Sequence, residues 1–201
     1  EQRETAMAFA KDGQSFYEAN GNGGLAVCSV SGEWLQGLEE KKSPIIEIAN
    51  SLDGNMILGA SDDNTVFRWD VSGVPLFMHQ GSKSLVKAMA YHPFDPSLVL
   101  IGFFNKRAEL WDLRQQKPLL ELPHKGPVNA VAFSPDGMQY LTGSTDGTAV
   151  LWNSEGEMMR QLEAHDAKIH AVAFSPDGLL IAIGARDNTA KIWEVETGRV
   201  L

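Results

Sequence analysis

An all-β chain, built from one four-stranded antiparallel module used again and again, is predicted by three observations. Two long segments are nearly identical: Val128–Trp152 reads VNAVAFSPDG…DGTAVLW, and Ile169–Trp193 reads IHAVAFSPDG…DNTAKIW. Trp69, Trp111, Trp152 and Trp193 stand 42, 41 and 41 residues apart. Turn residues punctuate each module so often that short strands fit between them and a useful helix does not. A turn aspartate precedes each of these tryptophans by 16 residues, at Asp53, Asp95, Asp136 and Asp177. Sixteen residues on from Asp12 stands Cys28, so a divergent first copy carries Cys28 in the tryptophan position. Trp34 is off this register and belongs to a later strand.

The fourth copy shows why each element forms. Strand a is Val128–Phe133 and ends at Ser134–Gly137. Strand b is Met138–Ser144 and ends at Thr145–Gly147. Strand c is Thr148–Trp152, the turn Asn153–Gly156 follows, and strand d is Met158–Leu162. Asp-Gly supplies the positive φ that tight hairpins need, and the aspartate accepts from nearby backbone amides. Ala149, Val150, Leu151 and Trp152 leave strand c without a polar face, so it must be covered on both sides. Four-stranded units that cover one another are the blades of a β-propeller. Five blades are expected in a single domain, at residues 5–38, 45–79, 86–122, 128–162 and 169–201.

With SPDG twice, Trp-Asp at Trp69–Asp70 and Trp111–Asp112, and His124 and His165 each 28 residues before a tryptophan, the chain resembles the WD-repeat β-propeller family. The resemblance implies a buried tetrad of loop His, strand-b hydroxyl, turn Asp and strand-c Trp. The fourth copy supplies all four, as His124, Thr142 (with Ser144 on the same strand face), Asp146 and Trp152. There, His would bridge the Asp and the hydroxyl, and the hydroxyl would reach the indole N–H. The fifth keeps His165, Asp187 and Trp193 but has Ile183 and Ala185 in place of a hydroxyl. The second keeps Asp63 and Trp69, with Lys41 near the His position. The third has Asn105 for the Asp, Ile101 and Phe103 in strand b, and an extra residue in the Tyr91–Pro96 turn. The first has Asn22 and Cys28. Apolar packing between blades is therefore expected to carry most of the stability. Within the range that propellers span, the resemblance implies a ring of roughly six to eight blades, so five copies predict an incomplete ring. Starting at Glu1 rather than Met, the chain is expected to be a processed product or a piece of a longer one. Open blade ends are expected to pair with missing blades or with another chain.

Composition narrows the function classes. Seventeen basic against 26 acidic side chains give a net charge of −9, which argues against nucleic acid and anionic membranes as partners. One cysteine excludes a disulfide framework, a Cys-based zinc site and a redox pair, and fits a reducing cytoplasmic or nuclear compartment. The longest apolar runs, Leu98–Phe104 and Leu179–Ala185, are far shorter than the ~20 residues of a spanning helix.

Catalytic motifs do not survive inspection. Gly81–Ser84 (GSKS) lacks the upstream glycine of a phosphate loop, Gly21–Gly24 precedes a strand rather than a helix, and Gly143–Gly147 has Thr145 where a nucleophile elbow needs Ser. The pairs His124/Asp146 and His165/Asp187 invite a catalytic dyad, but the buried tetrad explains them better. His79, His92 and His170 lack metal-ligand spacing. Cys28 reads as a buried inert thiol, and Lys41–Lys42 and Lys106–Arg107 as solvated turns. No metal, cofactor or enzymatic activity is expected.

What remains is a surface. In the family, partners often dock on the face carrying the d–a and b–c loops. The residue before each turn Asp gives Gly21, Asp62, Phe104, Thr145 and Arg186; the position four before each strand-a aromatic or its equivalent gives Thr5, Ile46, Lys87, Asn129 and His170. Phe104 is the sharpest candidate, either as a loop-tip contact or folded back on Phe103. Lys87, Arg186 and His170 suit an acidic or phosphorylated protein segment. The expected function is a non-catalytic protein-interaction scaffold. The alternative is a sensor or regulatory propeller of a larger signalling NTPase or kinase. A central-channel enzyme would need clustered titratable groups in the a strands, whose repeated stretches instead read AMAF, IEIA, AMAY, AVAF and AVAF, with only Glu47 charged.

Overall fold

The computed structural model describes residues 6–19, 24–40, 43–80 and 84–201, and side chains at all of these except 39, 40 and 77–80. Thr5, Gly21, Asn22 and Lys41 lie outside the described residues, as do the His79 side chain and most of the 81–84 motif. The described residues are all-β, with no helix.

Two compact units, Glu1–Val86 and Lys87–Leu201, divide the chain. In the first, β1 (Met7–Phe9), β2 (Ser15–Ala19), β3 (Gly24–Ser29) and β4 (Trp34–Glu40) form one antiparallel sheet. A second is made of β5 (Ile45–Asn50), β6 (Met56–Ser61), β7 (Thr65–Asp70) and β8 (Pro75–Gln80). Tyr17, Leu25, Ile45, Ile57, Phe67 and Trp69 pack between them.

The second unit holds three sheets: β9 (Val86–Tyr91), which begins at the boundary residue, with β10 (Leu98–Phe103), β11 (Arg107–Asp112) and β12 (Lys117–Pro123); then β13 (Val128–Phe133), β14 (Gln139–Ser144), β15 (Thr148–Asn153) and β16 (Met158–Glu163); then β17 (Ile169–Phe174), β18 (Leu180–Ala185) and β19 (Ala190–Glu194). A lone bridge, Trp193 to Val200, stands where a fourth strand of the last sheet would start. Leu100, Leu110, Val128, Tyr140 and Trp152 form one core and Leu141, Leu162, Ile169, Ile181 and Ile183 the next, each shared by two adjacent sheets. The packing is directional. A Cβ at Gly102 of β10 would meet the Val128 carbonyl at 2.8 Å and Val131 at 3.2 Å, and one at Gly143 of β14 would meet Ile169 at 2.5 Å and Val172 at 2.9 Å. A glycine in strand b thus leaves room for the branched side chains of the following strand a.

The a–b turns explain the SPDG motif. Ser134 Oγ donates to Asp136 Oδ1 at 2.5 Å, Asp136 accepts from Met138 N at 3.0 Å, and Ser134 Oγ accepts from Gln139 N at 2.9 Å. Gly137 takes φ 76°. The same bonds recur around Ser51–Asp53 and Ser175–Asp177. In the third copy His92 stands at the serine's position and makes different bonds, its Nδ1 accepting from Phe94 N at 3.2 Å and Asp95 N at 3.0 Å around the inserted residue.

Candidate functional site

The b–c turns and the segments leading into the a strands meet at one end of their sheets. Asp62 N donates to the Pro44 carbonyl at 3.0 Å, Thr145 N to Pro127 at 2.8 Å and Arg186 N to Lys168 at 2.9 Å. Each turn is stiffened by its aspartate: Asp63, Asp146 and Asp187 each accept from the backbone N–H of the Thr two residues on, at 2.9–3.0 Å.

Beneath this end lie the polar networks. In the fourth sheet Thr142 Oγ1 is 2.7 Å from His124 Nε2 and accepts from Trp152 Nε1 at 2.7 Å. The His124 and Trp152 rings meet edge-on, centroids 5.9 Å apart. Burial pushes His124 down to about 4, against the opposing pull of Asp146. The expected bridge from His124 to Asp146 is electrostatic here, since among the described residues no hydrogen bond joins them; Asp146 spends its Oδ1 on Thr148. The fifth sheet makes the other half of the bridge. His165 Nδ1 is 2.7 Å from Asp187 Oδ2, and its Nε2 lies 3.2 Å from the Ile183 carbonyl. Hydrogen bonds from Thr189 and His165 hold Asp187 at about 2. With Ile183 in the hydroxyl position, Trp193 Nε1 is buried without a hydrogen-bond partner among the described residues.

Two variations were not legible beforehand. In the third sheet Trp111 Nε1 donates to the buried Glu109 at 2.6 Å, and Arg107 pairs with Glu109 at 2.7 Å. An acid on the tryptophan's own strand thus replaces the missing hydroxyl. In the second, burial would raise the Asp63 carboxyl, but hydrogen bonds from Ser61 and Thr65 bring it down to about 2. Cys28 is buried, its thiol pushed up by burial and by Glu18, whose Oε2 accepts from Sγ at 3.8 Å.

The structure places the surface candidates as follows. Phe104, at the tip of its b–c turn, is 59% exposed, while Phe103 beside it is buried. Lys87, Arg186, His170 and Asp62 are exposed, and Ile46 and Asn129 are half-buried. Asn129 Nδ2 donates to the Ile169 carbonyl at 3.1 Å, which brings it beside His170. Ile46 and Asp62 belong to the first unit, and the others to the second. Ile46, Asn129 and His170 share a feature that counting residues does not disclose. Each is skipped in the pairing of strands a and b, for example between Val128↔Ser144 and Ala130↔Gly143, and so is the extra residue of a β-bulge. Bulges re-aim a side chain without disturbing the ladder around it.

Comparison with known proteins follows the same repeat. The family profile for the WD domain, G-beta repeat, matches residues 32–70, 116–153 and 156–194, more than half the chain. The stretches outside it hold Cys28 and the third copy's inserted turn, where the motif diverges although the sheets persist. The small ribosomal subunit protein RACK1y of Oryza sativa subsp. japonica is 39% identical over 88 residues, 43% of this chain and 26% of that protein. Eukaryotic translation initiation factor 3 subunit I of Taeniopygia guttata is 29% identical over 160 residues, 71% of this chain and 49% of that protein. Apoptotic protease-activating factor 1 of Mus musculus is 32% identical over 108 residues, 52% of this chain and 8% of that protein. The aligned stretch is thus under half the length of each of these relatives.

Proposed function

The chain belongs to the WD-repeat family, and from that premise we propose that it is a non-catalytic protein-interaction scaffold whose partners dock on the end carrying the b–c turns and the a-strand bulges. The observation that carries this reading is Phe104, a large aromatic held out at a loop tip with no share in the core. Aromatics and arginine dominate binding hot spots, and a stiff turn presents them at little ordering cost. Lys87 and Arg186 place two cations, and His170 a hydrogen-bonding ring, at the same end of the second unit on an otherwise acidic chain, which suits an acidic or phosphorylated segment. Asn129 completes the proposed contact set of the second unit, and Ile46 and Asp62 are the equivalent positions proposed for the first. A cytoplasmic location is part of the proposal, supported by relatives named for the small ribosomal subunit and for translation initiation.

The test is quantitative affinity capture by the wild type and by Phe104→Ala. The variant should capture its specific partners several-fold less while its thermal midpoint stays within about 1–2 °C. Undiminished capture, or a large loss of stability that makes Phe104 a packing residue, defeats the reading. Phosphatase treatment of the captured partners separates acidic from phosphorylated ligands. One observation favours a second reading, that of a regulatory propeller in a larger signalling NTPase or kinase: the match to a protein of which it covers only 8%. A P-loop or kinase motif elsewhere in the same gene would decide for it.

A further inference from the structure

The outer strands carry a second set of bulges. Opposite Cys28, Trp69, Trp111 and Trp152 the pairing skips Leu35, Leu76, Leu119 and Met159. All four are apolar, and all four are turned out to solvent, 43–53% exposed. Between the fourth and fifth sheets Met159 forms one wall of an open groove of ≈ 660 Å³. Leu179, 65% exposed in the a–b turn of the fifth sheet, forms the other wall, and Leu151 and Val195 lie at its base. The rim is acidic, with Asp177, Glu194 and Glu196. Its one cation, Arg160, donates to the carbonyls of Thr197 at 2.9 Å and Glu196 at 3.0 Å, and so is already engaged. Hydrogen bonds from Ser175 and the Leu179 amide keep Asp177 below the ordinary carboxylate range.

The first unit contains the same groove between its own two sheets, ≈ 550 Å³, with Leu35 for Met159, Gln36 for Arg160, Gly54 for Gly178 and Val71 for Val195. There Asn55 stands where Leu179 does, and Lys11 lies in the groove and donates to the Asp53 carbonyl at 3.1 Å. The fold makes the groove, whereas the exposed Leu179 and the excess of three carboxylates over one arginine are particular to the second unit.

We propose that the groove between the fourth and fifth sheets is a docking site for a partner segment in which leucine-sized apolar side chains alternate with Lys or Arg. The apolar side chains displace water from Met159 and Leu179, and the cations meet Asp177, Glu194 and Glu196. Charge complementarity decides the partner's sign: three carboxylates surround an apolar cleft, on a chain of net charge −9. This surface is distinct from the end that bears Phe104 and stands or falls independently of it.

The experiment is a fluorescence-anisotropy titration of the full chain with a short labelled peptide of Leu and Lys, beside one with Glu for Lys and one with Ser for Leu. The Leu/Lys peptide should saturate, with both controls at least about tenfold weaker. Leu179→Ser and Met159→Ser should each weaken it about tenfold, and Glu196→Lys should also reduce its salt dependence. Leu35→Ser, in the other groove, should change nothing. These side chains are exposed, so thermal midpoints should hold. Failure of the Leu/Lys peptide to bind, equal binding of the Ser/Lys peptide, or indifference to Leu179→Ser overturns the proposal.

Discussion

Thr142 Oγ1 joins a histidine and an indole in the fourth sheet, while Ile183 at the same position of the fifth leaves Trp193 Nε1 buried and unpaired among the described residues. Thr142→Val should therefore orphan Trp152 and cost about 1–3 kcal/mol in urea denaturation; an unchanged midpoint would mean that the indole bond contributes nothing. His124→Ala should fall in the same range, and the group it orphans is chiefly Thr142 rather than Asp146. Its titration gives a second handle. Folded, His124 sits at about 4, against 6.5 in an ordinary setting. As pH falls, the unfolded chain takes up this proton first. The contribution is thus complete above about pH 6.5 and is lost on the way down to 4, by at most about 3 kcal/mol. Denaturation at pH 7 and pH 4.5 should show that loss in the wild type and not in His124→Gln; equal losses in both would assign it elsewhere. The tetrad's members were legible because spacing alone selects them. The role of Glu109 was not, because a carboxylate two residues before its tryptophan shares that residue's face, yet belongs to no motif that marks it as the indole's acceptor.

At the scale of strands, the b-strand glycines Gly102 and Gly143 are the sockets for the next sheet. Gly143 is filled by Ile169 and Val172, whereas a Cβ at Gly184 meets only Ala171 of its own sheet, at 4.0 Å. Gly143→Ala should cost about 1–3 kcal/mol by overpacking. Gly184→Ala should be neutral, or stabilising by roughly 0.5–1 kcal/mol, because alanine loses less backbone entropy in a strand. Thermal unfolding of both variants checks this, and equal losses would show that socket filling does not set the cost. The strands of the fourth copy were readable to within one residue, since turn chemistry brackets them. The bulges were not. A skipped residue changes which way one side chain points without altering composition or spacing, so Leu35 and Met159 read as ordinary strand residues and emerge as exposed ones.

For the whole molecule, the repeat spacing carried the fold class through copies that had lost their motif, because a sheet tolerates Cys28 or Asn105 so long as its turns and apolar strands persist. The turns also set how the chain responds to acid. Seven of their aspartates, Asp53, Asp63, Asp95, Asp136, Asp146, Asp177 and Asp187, lie below the ordinary carboxylate range through hydrogen bonds from serine or threonine hydroxyls and backbone amides. Depressed acids contribute stability above about pH 4 that is lost as pH falls toward about 2, where the folded forms of Asp63 and Asp187 take up protons. The thermal midpoint should thus be level above pH 6.5, decline gently to pH 4 through His124, and drop steeply below it. Because local hydrogen bonds rather than long-range charge produce the steep part, 1 M salt should leave it in place. Calorimetry from pH 7 to pH 2.5 at low and high salt measures this directly. A midpoint level down to pH 3, or a drop that salt abolishes, would transfer the acid response from the turns to the net charge of the surface.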